Sequence, residues 1–181
     1  MNLFATTTRI AFTAFGKPEQ RGSKICVGAN GGGTMLIANG GELPTLERYG
    51  KAWVVRGARP IIKDENTDRS KKWMAQVKRV AGCQIWDAKP IAGPVRLTAR
   101  FYFERPACHY GTGRNAHKLK DSAPEHHVKF PDLDKLVRAL ADAMSGVMYV
   151  DDKQIVEHVS GRYWCAGGEL ERCEVLVEEL E

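Results

Sequence analysis

The sequence lacks any apolar run near the ~20 residues that a membrane-spanning helix requires, so we expect no membrane span. It also lacks a Cys-x-x-Cys pair, and its five cysteines are an odd number at irregular spacing. This pattern argues against a zinc ribbon and a secreted disulfide framework, and it favours a reducing, cytoplasmic setting. The first fifteen residues carry one charge, Arg9, and match neither the basic head nor the apolar run of a signal peptide.

The length and charge indicate one ordinary globular domain. A chain of 181 residues can bury one substantial core, so we expect a single domain spanning residues 1–181. Lysine and arginine number 27 against 22 acidic residues, a formal net charge of +5. This modest excess is compatible with a polyanionic partner without requiring one.

Several segments have the patterns of strands. Residues 9–15 alternate loosely and stop at Gly16-Lys17-Pro18, and residues 95–104 alternate strictly between Pro94 and Pro106. Asn-Gly pairs at 30–31 and 39–40 flank a short apolar run at 35–37, which predicts short strands and tight turns within residues 25–55. We therefore expect a hairpin insertion at residues 25–58. Its glycines precede no Gly-Lys-Ser/Thr, so they do not predict a phosphate-binding loop.

Two helices complete an α/β (α+β) pattern. Asn66-Thr67-Asp68 is a capping sequence, and Trp73, Val77 and Val80 follow at helical spacing. Pro131 is predicted to open a second helix, and Gly146 to end it. The apolar stripe of that helix contains Leu133, Leu136, Val137, Leu140 and Met144. Extended segments at 155–159 and 173–177 are expected to add strands.

A long polar loop at residues 105–130 separates the strictly alternating strand from the second helix. A loop of this length in a compact domain is typically functional or disordered. It contains four of the five histidines, and Cys108, His109, His117, His126 and His127 are all zinc-ligand types. Their spacing matches no common zinc pattern. A zinc site and a polar loop with surface histidines are therefore alternatives.

Four carboxylates around the second helix form a candidate metal site: Asp132, Asp134, Asp151 and Asp152. The helix would rise about 20 Å, and an extended return from Gly146 would cover about 20 Å, bringing Asp152 beside the first two. Converging carboxylates require a cation, and oxygen ligands favour Mg²⁺ or Mn²⁺. Leu136 and Ala143 occupy positions that exclude an EF-hand.

The same carboxylates also have structural explanations. Aspartates in a first helical turn interact favourably with the helix dipole, and Asp134, Arg138 and Asp142 at i, i+4 and i+8 form a solvated charge ladder. The adjacent pair Asp151-Asp152 is also compatible with a turn. Both interpretations stay open on the residues alone.

The run from Lys129 to Glu157, KFPDLDKLVRALADAMSGVMYVDDKQIVE, resembles the signature of the RusA-type Holliday-junction resolvases. That signature has Asp-x-Asp opening a helix, a basic residue one turn later, and Asp-Asp-x-Gln after a glycine and apolar residues. The segments YGTGRN at 110–115 and FGKPEQR at 15–21 are similar to members carried by phages and prophages. The likeness is specific over residues 105–157 and looser at 9–24 and 59–80.

The resemblance implies a homodimeric nuclease with a mixed β-sheet that resolves four-way DNA junctions by paired nicks with Mg²⁺, for which Mn²⁺ can substitute. It assigns the metal to Asp132, Asp134 and Asp152, with Asp151 adjacent, and the basic catalytic position to Arg138. Many members have lysine where Arg138 stands and asparagine where Lys135 stands. Arginine keeps the charge but cannot give up a proton, so a phosphate-binding role is retained and an acid role is not. A phage-encoded protein of this kind would act in the cytoplasm of a bacterial host.

Basic residues on several segments are candidate DNA contacts, expected to position the backbone rather than to read sequence. They are Arg21, Lys24, Lys72, Arg114, Lys118, Lys120, Lys129, Lys135 and Lys153. Two alternatives to a resolvase are a non-catalytic junction-binding protein and a nuclease that cuts flaps and other branched DNA.

Overall fold

A computed structural model describes residues 8–22, 24–30, 46–49, 52–55, 59–64, 67–86 and 88–181. The strands are β1 (Arg9–Phe15), β2 (Lys24–Asn30), β3 (Leu46–Tyr49), β4 (Ala52–Val55), β5 (Arg59–Asp64), β6 (Val95–Phe103), β7 (Ile155–Trp164) and β8 (Arg172–Glu179). The helices are α1 (Asp68–Ile85) and α2 (Leu133–Met144). The chain divides into two compact units, Arg21–Thr67 and the remainder.

The larger unit is built on a four-stranded mixed sheet in the order β1-β8-β6-β7. Strand β8 runs antiparallel to β1 and β6, whereas β6 and β7 are parallel. The strict alternation predicted for 95–104 is confirmed, because every second side chain of β6 is buried, and the strand ends one residue earlier than the predicted run. Together with the two helices, this sheet confirms the expected α+β class.

One core lies between the sheet and the two helices. Helix α1 contributes Trp73 and Val77, helix α2 contributes Leu136 and Leu140, and all belong to one buried cluster with the inward side chains of β6. The inward side chains of β6 are Val95, Leu97, Ala99, Phe101 and Phe103. Burial of these apolar surfaces, at about 25 cal/mol per Å², is the main force that seats α2 on the sheet.

The smaller unit contains two antiparallel strand pairs, β2 with β5 and β3 with β4. The first pair has a β-bulge between Cys26 and Gly28. The predicted strand at 35–37 and the two Asn-Gly turns extend outside the described residues. One domain with an insertion at 25–58 therefore stays a prediction.

The beginning of α2 differs from the sequence expectation, and its end agrees with it. Asp132 occupies the N-cap position and Leu133 begins the helix, so Pro131 lies two residues before the first helical residue. Gly146 does stop the helix, with φ of +73°. Of the helices in the described ranges, none is long and apolar enough to cross a membrane.

Candidate functional site

The N-terminus of α2 presents Asp132 and Asp134. Asp132 occupies the N-cap position with extended backbone, but its side chain makes no capping hydrogen bond. Its backbone N–H instead donates to Oε1 of Gln20 at 2.6 Å. Asp134 is exposed in the first turn of the helix. Both carboxylates therefore lie near the positive end of the helix dipole, which stabilises their charged form.

Arg162 of β7 holds the segment that leads into α2. Its Nη1 atom donates to the carbonyl oxygens of Lys129 at 2.7 Å and Pro131 at 2.6 Å. In the strand register Arg162 is the partner of the buried Phe101, so its side chain leaves β7 on the core side of the sheet. A charged donor from a rigid strand thus positions the residues immediately before Asp132.

Lys135 neutralises one of the two carboxylates. Its Nζ lies 2.9 Å from Oδ2 of Asp132, and the side chains are 28% and 53% exposed. The candidate DNA contact Lys135 is thereby an ion-pair partner of a candidate metal ligand. By contrast, Asp134 has no hydrogen-bond or ion-pair partner in the described part of the chain.

The neighbouring aspartates 151 and 152 have different roles. The Asp151 carboxylate caps a 3₁₀ turn at Asp152–Gln154: its Oδ1 accepts from the Lys153 N–H at 3.0 Å, and the Asp151 N–H donates to Oε1 of Gln154 at 2.9 Å. Nε2 of Gln154 donates to the carbonyls of Ile91 and Gly93, which fixes the turn beside the start of β6. Asp152 is exposed, and no described side chain bonds to its carboxylate. Asp152 is therefore the more available ligand of the pair.

The segment between α2 and Asp152 is a turn, so the expected extended return from Gly146 is wrong. The N–H of Gly146 donates to the Tyr149 carbonyl at 2.8 Å, and the N–H of Met148 donates to the Met144 carbonyl at 2.9 Å. The Tyr149 hydroxyl then donates to the Ala141 carbonyl at 3.0 Å. These local bonds close the chain against the last turns of the helix, which an extended segment could not do.

The charge of Asp152 affects the buried hydroxyl of Tyr149. Burial raises the pKa of the Tyr149 hydroxyl, and the negative charges of Asp152 and Asp142 raise this pKa further. The turn that carries Asp152 also contacts α2. The charge of Asp152 thus acts on the Tyr149 hydroxyl, which donates to the Ala141 carbonyl of α2.

The carboxylates expected to bind a metal ion do not form a metal-binding cluster in the described part of the chain. Within the described ranges no three histidine, cysteine, aspartate or glutamate side chains lie together in a group that could hold a metal. The carboxylate oxygens of Asp132, Asp134 and Asp152 suit Mg²⁺ chemically, and two of the three have no competing described partner. The metal site and the charge ladder of Asp134, Arg138 and Asp142 therefore both stay predictions.

The histidine-rich loop forms aromatic contacts rather than a zinc cluster in the part that the structure describes. His127 lies 4.3 Å from the Trp164 ring and 4.5 Å from the Phe103 ring, centroid to centroid. The His109 ring meets the edge of Trp164 at 5.2 Å. Burial lowers the pKa of both histidines, and nearby cations lower it further.

The candidate DNA contacts belong to several segments of the chain and differ in exposure. Lys72, Arg114, Lys118, Lys120, Lys129 and Lys153 are exposed, Arg21 is half-buried, and the side chain of Lys24 lies outside the described residues. Two of the exposed lysines have structural partners: Nζ of Lys120 donates to the Cys108 carbonyl at 2.9 Å, and Nζ of Lys153 lies 3.8 Å from Asp151. Lys17, which sequence reasoning did not select, lines one groove with Arg69 and Lys72.

Sequence reasoning also missed Gln20 and Arg162. Both act through backbone groups of distant residues, at separations of 112 and 31 positions. The only available signal was a charged residue at an inward position of β7, and this position was not recognised because residues 160–164 were not predicted as strand.

Comparison with known proteins identifies a family. No curated protein matches the sequence. A protein-family model described as "Endodeoxyribonuclease RusA" matches residues 54–178, which includes β6, α2, the 3₁₀ turn and β7. This match covers more than half of the chain, and it extends over every candidate metal ligand and Arg138. The chain therefore belongs to the RusA family of endodeoxyribonucleases, enzymes that hydrolyse DNA.

Proposed function

We propose that this protein resolves four-way DNA junctions by paired, symmetric nicks in a Mg²⁺-dependent reaction. The observation that carries the proposal is the pair of carboxylates at the start of α2, where Asp134 is exposed without a described partner beside the cap residue Asp132. Membership of a junction-cleaving endodeoxyribonuclease family supports the substrate class. A solvated charge ladder alone would not require that the chain entering the helix be fixed by Arg162 and Gln20.

Asp132, Asp134 and Asp152 would hold the divalent ion, and Asp151 would cap the turn that carries Asp152. The ion, when bound, supplies an activated water and neutralises charge on the phosphate. Mn²⁺ meets the same requirements for oxygen ligands. Lys135 would exchange its ion pair with Asp132 for a phosphate oxygen as the substrate arrives.

Arg138 would bind the phosphate and leave proton transfer to other groups. It lies one turn after Asp134 and is exposed on the helix surface. Because a guanidinium stays protonated at all relevant pH values, its contribution is stabilisation of negative charge on the phosphoryl oxygens. The expected products are a 5′-phosphate and a 3′-hydroxyl.

We further propose that the active form is a homodimer acting in the cytoplasm, of a bacterial host if the protein is phage-encoded. A four-way junction has two-fold symmetry, so a two-fold dimer presents one site to each of two equivalent strands. The exposed lysines and arginines of α1 and the 114–129 loop would hold the DNA backbone through phosphate contacts.

The deciding experiment compares a four-way junction with a matched linear duplex and a flap, each with Mg²⁺ and with chelator. A resolvase nicks the junction at two symmetric positions, only with the ion, and leaves the duplex intact. A non-catalytic junction-binding protein would bind the junction under both conditions and release no nicked strands. A nuclease of broader specificity would cut the flap as fast as the junction.

A further inference from the structure

A cavity of about 210 Å³ lies beside the start of α2. Phe130 and Pro131, the two residues directly before Asp132, form part of its wall. Because consecutive Cα atoms are about 3.8 Å apart, the cavity adjoins the candidate ligands Asp132 and Asp134. All of its lining residues belong to the larger unit of the chain. The proposed metal ligands and Arg138 do not line this cavity, whereas Arg69 and Lys129, which belong to the proposed DNA-backbone surface, do.

Flat rings form much of the cavity wall. His127, Phe103 and Trp164 all line it, and the His127 ring contacts the rings of the other two, which holds it in place. Phe130 also lines it, yet its side chain is 70% exposed. An exposed phenylalanine beside a fixed aromatic cluster is a surface on which another flat ring can stack.

Two polar atoms in this wall lack hydrogen-bond partners. Nε1 of Trp164 is buried without a partner, and Nδ1 of His127 has none beyond its own main chain. His127 is only 6% exposed, so water reaches it poorly. Burial lowers the pKa of His127, which favours the neutral ring. Buried donors without partners are rare in native proteins and call for a ligand or an ordered water.

The charges around the cavity favour a neutral ligand with an anionic neighbour. Three cations line it, Lys17, Arg69 and Lys129, and all three are exposed. Three carboxylates, Glu19, Glu104 and Glu171, balance them. A bare phosphate would therefore meet as much repulsion as attraction. A flat, neutral heterocycle attached to a phosphate backbone fits all three features. The heterocycle would stack on the rings and accept a hydrogen bond from the unpartnered donor, and the backbone phosphate would lie near the exposed cations.

We propose that this cavity, the base pocket, receives one unstacked nucleobase of the branched DNA, from a nucleotide next to the phosphate held at Asp132 and Asp134. This inference rests on the proposed function, since the strand must lie along the start of α2. Bases at a branch point lose part of their stacking, so extruding one from the helix is easier there than in a continuous duplex. The pocket would favour junctions over linear DNA without reading the whole sequence.

The test combines abasic DNA with pocket variants. Affinity is measured in chelator for four-way junctions in which an abasic nucleotide replaces each position around the nick in turn. With the unaltered protein, one position should lose roughly 5- to 100-fold in affinity, the range that base stacking on aromatic side chains provides. In Phe130→Ala, the same abasic substitution should cost little more, because the ring that the base contacts is already absent.

Three controls separate the pocket from general damage. Trp164→Phe keeps a ring and removes the Nε1 donor, so part of the abasic effect should persist. Trp86→Ala removes an aromatic side chain that is 85% exposed at the end of α1, outside the cavity lining, and should leave the full abasic effect. Circular-dichroism melting curves confirm folding, and the exposure of Phe130 makes its truncation safe for the core.

The two proposals fail in different ways. Absence of junction preference and of Mg²⁺-dependent nicking would overturn the proposed function. A protein that binds and nicks junctions normally, but shows no abasic position whose effect depends on Phe130, would overturn the base pocket alone. An abasic effect that is equal in Phe130→Ala and the unaltered protein would overturn it as well.

Discussion

Arg162 and Pro131 are joined by a 2.6 Å hydrogen bond from the guanidinium of β7 to the carbonyl that precedes the cap of α2. The same Nη1 atom also donates a hydrogen bond to the Lys129 carbonyl, so one side chain fixes two peptide groups beside the candidate metal ligands. Catalytic groups depend on such supports, since a displacement of about 1 Å can cost about 100-fold in rate.

Arg162→Met should therefore reduce nicking more than it reduces stability. The substitution keeps the apolar stem and removes the donors, which should lower the free energy of unfolding by roughly 1.5–3 kcal/mol. Nicking with saturating Mg²⁺ should fall at least tenfold, because Asp132 loses its fixed position. Denaturant unfolding and junction nicking measure the two effects. Arg9→Met, at an exposed arginine of β1 outside the proposed DNA-binding surface, is the matched control: it should leave nicking unchanged and lower stability by no more than about 1 kcal/mol, the value of its surface ion pair with Glu178. Equal, small effects of both substitutions would contradict a positioning role for Arg162.

The parts of the fold that follow a local period were predictable, and the long-range polar contacts were not. Strand β6 is predictable to within one residue because alternation and flanking prolines are local signals. The run Val147–Val150 is equally apolar, yet it forms a turn. Gly146 adopts a positive φ there, and Tyr149 finds the Ala141 carbonyl. That bond depends on the helix already being in place, so periodicity alone could not reveal it.

In the candidate site, too, the local features are predictable from the sequence and the long-range contacts are not. The Asp-x-Asp at the helix start is visible in the sequence, and the structure places both residues there. The support from Gln20 links residues 112 positions apart, so no local pattern predicts it. The pairing of Lys135 with Asp132 at i, i+3 could have been anticipated from helix geometry.

The Lys135–Asp132 ion pair predicts competition with the metal. Lys135→Met should free the Asp132 carboxylate, and the Mg²⁺ concentration for half-maximal nicking should fall by about 1.5- to 5-fold, the worth of an exposed ion pair. Junction affinity in chelator should fall at the same time, since one cation has gone. A Mg²⁺ titration of initial nicking rates measures the first effect. A requirement for more Mg²⁺ in the variant would contradict competition.

Salt dependence tests the DNA-binding surface. If the exposed cations contact phosphates, log Kd should rise linearly with the logarithm of the salt concentration between about 50 and 200 mM. The slope of that line should be about 0.9 for each phosphate contact. Lys118→Met should lower that slope by about one contact. Lys120→Met should in addition reduce stability, because its ammonium group also bonds to the Cys108 carbonyl. The double variant should bind DNA more weakly and keep its response to Mg²⁺. A slope that is unchanged in the double variant would remove both lysines from the interface.

The buried histidines predict a loss of stability in mild acid. Burial lowers the pKa of His127 and His109 below the unfolded value of about 6.5, so protonation favours the unfolded chain. Their stabilising contribution is therefore present above about pH 6.5 and is lost as the pH falls through the lowered pKa values. Replacing His127 with Phe should flatten the fall in unfolding free energy between pH 7 and 5.5. The exposed His117→Phe should leave that fall unchanged. Parallel pH profiles for His127→Phe and the unaltered protein would contradict the assignment.

Asp134→Asn separates the metal site from the charge ladder. The amide is nearly isosteric, and Leu136 beside it does the packing, so the fold should survive with a loss of about 0.3–1 kcal/mol from the helix dipole. A metal ligand is nevertheless lost, so most of the Mg²⁺-dependent nicking activity should disappear.

Junction binding by Asp134→Asn should persist or tighten, since one negative charge near the phosphate is removed. Nicking and gel-shift assays on the same preparation measure both properties. Asp121→Asn, an exposed aspartate in the 105–130 loop, is the control and should nick normally. Near-normal nicking by a well-folded Asp134→Asn would assign Asp134 to the ladder, because a lost surface pair costs only about 0.3–0.5 kcal/mol and no chemistry.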